Sequence, residues 1–287
     1  MKTVEDVGMA TVRAGNGTGE VRARPWLARR WRHLLAAATG PLSVVIFLAI
    51  WQLVGSHLNP ILLSTPSAVA TAFAHMVTGK SILGSAFLRA MEDLLAGYLL
   101  AVLVGLVVGV LAGRHRTVER VINPYVNFFQ ATPLIALTPL VVIWFGIGYT
   151  AEISITFLLA VWTIIINTQE GVKATPPILL DMARVYHASE RRVVREIALP
   201  NAVPYIFAGL RIGLAKGVVG MIIAGMDITL KGLGGLIATY GYAFKTSYLL
   251  VTVICSSIVG VILTVVIEVI RRTVFPWSMG VAVKSKR

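Results

Sequence analysis

The chain has 287 residues, of which 56% are hydrophobic and only 14% are charged, and its mean hydropathy is +0.80. Soluble domains are usually about 45–50% apolar and about 25% charged, so this composition excludes a single water-soluble core. The formal net charge is +13, but the Lys and Arg residues lie mostly at the ends of long uncharged runs. This is a membrane distribution rather than the concentrated basic stripe of a nucleic-acid-binding protein, and we expect no nucleic-acid partner.

Six apolar runs approach the length of about 20 residues that a helix needs to cross a bilayer. They cover approximately residues 36–56, 89–113, 122–146, 149–169, 203–226 and 247–270. The sequence therefore predicts an all-α, polytopic membrane protein with six transmembrane helices. We divide it into a basic N-terminal tail (1–36), a transmembrane domain (37–273) and a basic C-terminal tail (274–287).

The distribution of Lys and Arg predicts the orientation of these helices. If the N-terminus lies in the cytoplasm, twenty cations fall on the cytoplasmic side and four fall outside. Cytoplasmic loops carry the excess of Lys and Arg in membrane proteins. We therefore expect both termini, and the loop between the fourth and fifth helices, to be cytoplasmic.

The second run contains glycines at a helical spacing that favours close packing. Two GxxxG patterns share Gly109, one beginning at Gly105 and one ending at Gly113, and Gly97 precedes them. Small residues at this spacing let the backbones of two membrane helices approach each other. We expect this helix to pack tightly against a neighbour.

The third run is interrupted by Pro133 and Pro139. Each proline removes a backbone donor, and freed carbonyls are costly in lipid, so this helix should face protein or a watery path. A kinked packing helix without solute contact is the alternative.

The fifth run carries a lysine, and an isolated cation within a membrane tends to face a watery cavity or a partner. The candidate pathway residues are Gln130, Thr132, Thr138 and Lys216.

The segment 171–202 is too polar to cross a bilayer but has a helical pattern. Pro176 and Pro177 can open a helix, and Asp181 and Arg184 form an i, i+3 pair. The apolar face of this helix comprises Leu179, Met182, Ala183 and Tyr186. Such a short amphipathic helix either docks into a partner's groove or lies on its own bundle or in the lipid interface.

A second short helix is predicted at about residues 190–198. It contains the i, i+4 pair of Arg192 and Glu196 and should stop at Leu199-Pro200. The loop would then consist of two separate helices before the fifth span begins.

This loop resembles the EAA loop of binding-protein-dependent ABC transporter permeases. That pattern is Glu-Ala-Ala, three residues, Gly, nine residues, Ile, one residue and Leu-Pro. The spacing is matched here by two segments, Asp181-Met-Ala-Arg-Val-Tyr-His-Ala-Ser189 and Ile197-Ala-Leu-Pro200. Other segments resemble the nitrate/sulfonate/taurine branch of the family, so that the likeness runs from about residue 38 to 277. They are Ser64-Thr-Pro-Ser-Ala68, Pro133-Leu-Ile-Ala-Leu-Thr-Pro-Leu140, Trp144-Phe-Gly-Ile-Gly148, Asn167-Thr-Gln-Glu-Gly171, Pro204-Tyr-Ile-Phe-Ala-Gly-Leu-Arg211 and Gly232-Leu-Gly-Gly-Leu-Ile237.

The resemblance implies a MetI-like permease fold in the bacterial inner membrane, with a cytoplasmic coupling helix that contacts an ABC ATPase subunit. Its implied partners are the ATPase subunits, a second permease chain in a homodimer or heterodimer, a periplasmic or lipid-anchored solute-binding protein, and membrane lipid. The cargo would be a small solute such as a sulfonate, nitrate, taurine or a related organic compound, usually anionic, although members of the branch also carry uncharged heteroaromatic compounds. The implied coupling residues are Asp181, Met182, Ala183, Arg184, His187, Ala188 and Ser189, with Leu199 and Pro200 setting the bend into the fifth span.

Two positions depart from the family pattern. His187 replaces the glycine, so a residue that tolerates a left-handed conformation less well must make the turn. Gly225 stands where the family often has an acidic residue. These differences bear on the strength of coupling and on the identity of the solute.

The sequence contains no convincing site for ATP, a cofactor or a metal, so we expect a non-enzymatic chain. Gly79-Lys80-Ser81 resembles the end of a phosphate-binding loop, but Ala74 stands where that motif needs a further glycine. The alternative function is a self-sufficient, ion-coupled secondary transporter, in which Glu92 and Asp93 would relay protons. These carboxylates could instead be paired near Arg89.

Overall fold

The computed structural model describes residues 25–78 and 82–276, with side chains from residue 40 onward. The predicted tails therefore lie mostly outside the described residues, as do Gly79, Lys80 and Ser81. The described chain divides into two units, one ending at Trp51 and one beginning at Gln52. The division into two tails and a transmembrane domain stays a prediction.

All regular structure in the described ranges is helical. The α-helices are α1 (Pro25–His57), α2 (Pro66–Thr78), α3 (Ile82–Arg114), α4 (Arg116–Ala131), α5 (Thr138–Phe145), α6 (Tyr149–Lys173), α7 (Pro177–Val185), α8 (Glu190–Arg192), α9 (Leu199–Ala224), α10 (Gly232–Tyr242) and α11 (Thr246–Val274). A 3₁₀ turn precedes α5 at Leu134–Leu137, and π-helical turns flank α9 at Val193–Ala198 and Gly225–Thr229.

Five helices in the described ranges are long and apolar enough to cross a membrane. They are Gly40–His57 within α1, then α3, α6, the continuous helix Glu190–Thr229 and α11. The count becomes six if the bent pair of α4 and the segment Leu134–Phe145 forms one span. The predicted set of apolar spans is confirmed, and the short helices α2 and α10 were not predicted.

The third predicted run is broken rather than kinked. The axis turns by 95° between Ala131 and Leu134. Thr132 has an extended backbone, with φ −79° and ψ 134°, because the residue before a proline is disfavoured in the helical region. Pro133 therefore ends α4, and the prediction of one helix over 122–146 is wrong in this respect.

The predicted stop at Leu199-Pro200 is also wrong. One helix runs continuously from Glu190 to Thr229, with a π-helical turn at Val193–Ala198 directly before α9. Pro200 lies directly after this π-helical turn, and such local adjustments satisfy the backbone groups that a proline frees within a continuous helix. The loop consequently contains one separate helix, α7, and the second merges into the fifth span.

The core of the second unit is built on α6, which packs against both α3 and α9. A Cβ added at each glycine of the α3 stripe would lie 2.6–2.8 Å from atoms of α6, so the helix backbones are in close approach, as predicted. The contacts pair Gly97 with Thr156, Gly105 with Ile164, Gly109 with Thr168 and Gly113 with Val172. Gly209, Gly213 and Gly220 of α9 approach α6 in the same way. Thr156 and Ile164 of α6 take part in both sets of contacts, so the three helices pack against one another.

Candidate functional site

Helix α7 is the separate helix of the loop between α6 and α9. Pro177 opens it, following Pro176 in an extended conformation. It ends in a Schellman motif, in which the Ala188 N–H donates to the Ala183 carbonyl at 2.9 Å and the His187 N–H donates to the Arg184 carbonyl at 3.0 Å. This motif needs a left-handed residue, and His187 supplies it with φ +49°. The structure therefore places a histidine where glycine is usual.

Most of the apolar face of α7 is uncovered in this chain. Tyr186 is 79% exposed, Met182 51% and Leu179 38%, whereas Ala183 is buried. Ile178 and Val185 are also exposed. Helix α7 contacts the chain's own π-helical turn at 193–198, and its small alanine is buried while its large side chains are free. The alternative in which this face lies on the bundle does not fit this arrangement.

The polar side of α7 carries an exposed ion pair. Arg184 Nη1 lies 2.9 Å from Asp181 Oδ1, and both side chains are more than 60% exposed. Such a pair contributes only about 0.2–0.5 kcal/mol to an isolated helix. Both groups are therefore available to a partner at little energetic cost.

Ion pairs fasten the loop to the bundle on both sides of α7. At the α6 end, Lys173 Nζ lies 2.7 Å from Glu119 of α4 and 3.4 Å from Glu170. At the α8 end, Arg114 of α3 forms two hydrogen bonds with the carboxylate of Glu190. Sequence reasoning counted Arg114 and Lys173 only as topology signals, because their partners are distant along the chain. The anchors make the loop part of the bundle end.

Three of the four candidate pathway residues line one cavity. Gln130, Thr132 and Lys216 border a space of about 210 Å³ between α4, α6 and α9. Phe129 and Trp162, stacked with ring centroids 4.4 Å apart, form part of its wall. Thr138 lies elsewhere: it is buried, and its hydroxyl donates to the Ile135 carbonyl at 2.7 Å. The cavity combines one cation with amide, hydroxyl and aromatic groups.

At the opposite end of α6, a charge network joins three helix ends. Arg89 of α3 lies 3.0 Å from Glu152 of α6 and 3.5 Å from Asp93, and its guanidinium covers the Tyr149 ring at 4.7 Å. The hydroxyl of Thr229, at the end of the helix containing α9, donates to Glu152. We will call these five residues the far-end network. Sequence reasoning missed Glu152 because a lone acid early in an apolar run has no periodic signal.

The carboxylates considered for proton relay belong to or border this network. Asp93 and Glu92 both face Arg89, Glu92 at a longer distance of 3.8 Å. They are therefore paired near one end of α3, as in the alternative interpretation. This arrangement explains them without a relay.

The long apolar helices and the broken helix pair define a class, the helical multi-pass membrane proteins. The fold is similar to that of the methionine ABC transporter MetNI in inward-facing conformations, with a TM-score of 0.55 and 21% identity over 66% of this chain and 93% of that chain. The family model of the binding-protein-dependent transport system inner membrane component matches residues 101–277. The chain belongs to this family.

Two relatives extend the likeness over most of the chain. The nitrate import permease protein NrtB of Synechococcus elongatus is 32% identical over 213 residues, which are 71% of this chain and 74% of that protein. The taurine transport system permease protein TauC of Escherichia coli is 27% identical over 241 residues, 82% of this chain and 88% of that protein.

Membership of this family makes the chain a multi-pass inner-membrane permease of an ABC importer rather than a secondary transporter. The EAA motif at residues 181–200 is a feature of the family. These permeases are transport components and are not known as catalytic.

Proposed function

We propose that α7 is the surface through which a separate ATPase subunit drives this permease. The observation that carries the proposal is the exposed face of α7, whose large side chains are free while ion pairs fasten the two ends of its loop to α4 and α3. A free apolar face suits a partner's cleft. A fastened loop lets a displacement of α7 reach the bundle.

The coupling residues divide into two roles in this proposal. Asp181, Met182 and Arg184 are exposed and contact the ATPase. Ala183, His187 and Ala188 shape the helix and its Schellman turn, so they position the contact surface, and Ser189 starts the next helix. Leu199 and Pro200 lie within the continuous helix that receives the displacement.

The orientation follows from the cation count. The α7 loop and both termini lie in the cytoplasm with the ATPase, and the far-end network lies towards the periplasm, where a solute-binding protein delivers the cargo. The test uses single cysteines at Ser189 and Thr71 in a Cys255→Ala background. An impermeant thiol reagent should label Thr71→Cys in intact cells and Ser189→Cys only after the membrane is opened. The reverse pattern would invert the topology.

The path is formed with a second permease chain, and we propose a small anion such as nitrate or a sulfonate as cargo. Two observations support this class of solute: NrtB and TauC are named for nitrate and taurine, and the cavity between α4, α6 and α9 presents Lys216 beside Gln130 and Thr132. Lys216 attracts the anion weakly, since a permease that held it firmly would release it slowly.

The experiment that tests α7 docking reverses one charge. Arg184→Glu should abolish most ATP-driven uptake while changing stability little, since it removes an exposed pair worth about 0.2–0.5 kcal/mol. Arg120→Glu, an exposed arginine at the same end but outside α7, is the matched control and should retain uptake. The swap Asp181→Arg with Arg184→Glu restores the internal pair but not the docking charges. Recovery of uptake in the swap, or full uptake by Arg184→Glu, would overturn the proposal.

A further inference from the structure

A second cavity lies between α9 and α11 at the end of the bundle that carries α7. It has a volume of about 220 Å³, and Pro204, Phe207 and Ile267 form its apolar wall. Arg211, Arg271 and Glu268 are its charged lining residues. None of these residues belongs to α7 or to the cavity that Lys216 lines.

The charges of this cavity are unbalanced. Arg271 holds both oxygens of Glu268, with Nη2–Oε1 at 2.6 Å and Nε–Oε2 at 3.0 Å. Arg272 adds a third bond to the same carboxylate at 2.8 Å. In the part of the chain that the structure describes, no acidic side chain pairs with Arg211. The single carboxylate is therefore saturated, and the three arginines leave an excess of positive charge.

The cavity lies at the depth of the lipid headgroups in the bilayer. Helix α11 has 29 residues, whereas about 20 cross the hydrocarbon core, and Arg271 lies in its last turn. The antiparallel helix α9 brings Arg211 to the same cavity. A long arginine near a helix end reaches the membrane interface. Arg211 and Arg271 thus lie at headgroup depth, with Phe207 one turn nearer the helix ends, where it packs on Phe275, and Ile267 one turn nearer the hydrocarbon.

We infer that this cavity binds the phosphate of an anionic membrane lipid, with Arg211 as the main contact and an acyl chain against Ile267. Basic pockets between membrane helices on the cytoplasmic side suit such headgroups. The inference goes beyond transport and coupling; it rests on the proposed orientation of the chain but not on the identity of the solute or the ATPase.

The test measures which lipids the full-length protein retains. Parent and variants are purified in mild detergent, mixed with equal amounts of phosphatidylglycerol and phosphatidylcholine, and examined by native mass spectrometry. The parent should prefer phosphatidylglycerol, and Arg211→Gln should lower that preference about fivefold, the effect of one basic residue at an anionic surface. Arg211→Lys should keep most of it, and Arg120→Gln, which lies outside the cavity, should keep all of it.

Three further measurements make the outcome decisive. Retention of phosphatidylcholine and the unfolding temperature should be the same in Arg211→Gln and parent, which shows that the variant is folded. Millimolar inorganic phosphate should not displace phosphatidylglycerol. Displacement by phosphate would place the ligand in the water phase and overturn the lipid assignment, as would an unchanged preference in Arg211→Gln or an equal loss in Arg120→Gln.

Discussion

The guanidinium of Arg89 lies 3.0 Å from the carboxylate of Glu152 and so joins α3 to α6. Glu152 is only 1% exposed, and Thr229 donates to its other oxygen. The opposite end of the same helix, at Lys173, leads into the α7 loop. A helix of 25 residues is about 38 Å long, so α6 connects the far-end network to the proposed coupling surface as one rigid element.

Loss of the Arg89 guanidinium should destabilise the protein. Arg89→Met would leave Glu152 as an uncompensated buried charge, and breaking a fully buried pair costs about 3–5 kcal/mol. Because 31% of the Arg89 side chain is exposed, we expect a smaller loss of about 2 kcal/mol in the free energy of unfolding. Denaturation in detergent measures it, with Arg116→Met at the other end as the control.

A double substitution separates the charge effect from lost packing. Arg89→Met combined with Glu152→Gln removes the Glu152 charge as well as its partner and leaves Asp93 as the remaining buried carboxylate of the network, so it should be more stable than Arg89→Met alone. Equal stability of the single and double variants would show that the pair contributes nothing specific.

Glycine at position 187 should stabilise the end of α7. His187 holds φ +49°, and a left-handed conformation costs a non-glycine residue roughly 1–2 kcal/mol. Part of this gain in stability is offset because glycine loses more backbone conformational entropy on folding than histidine does. His187→Gly should therefore slow hydrogen exchange of the Ala188 amide a few-fold.

The opposite substitution at the same position provides the contrast. His187→Val should accelerate exchange of the Ala188 amide, since a β-branched residue disfavours positive φ. Faster exchange in His187→Gly than in His187→Val would contradict this description of the turn.

Removal of the Lys216 charge should weaken uptake of an anionic solute at low concentration. The attraction between two unit charges about 4 Å apart in water is about 1 kcal/mol, which corresponds to about a fivefold change in the affinity for the anion. Lys216→Gln should lower uptake by up to this factor at limiting solute and less at saturation. Arg120→Gln is the control at matched expression. An unchanged rate at all concentrations, or a cationic cognate solute, would remove Lys216 from the path.

The sequence predicted those features that depend on local pattern. The glycine stripe from Gly97 to Gly113 indicated close packing, and Pro176-Pro177 indicated the start of α7. The left-handed turn at His187 was expected from the resemblance to the family pattern, which has glycine there. In each case the physical cause lies within a few residues. The conformations found in the structure agree with them.

Features that depend on tertiary context were missed or wrongly predicted. Glu152 gave no signal because its partner Arg89 lies 63 residues away. Pro133 breaks the third run by 95°, whereas Pro200 is absorbed after a π-helical turn. From the sequence alone, either proline could end a helix or be accommodated within it, because packing decides whether the helix continues.

The most direct measurement of the central proposal is a crosslink between α7 and an ATPase subunit. In the intact transporter with Cys255→Ala, a photoreactive group attached at Met182→Cys, half exposed on α7, should crosslink to the ATPase subunit. The same group at Thr71→Cys on α2 should not. Crosslinking from Thr71→Cys alone, or from neither position in a complex that hydrolyses ATP and transports solute, would contradict α7 as the coupling surface.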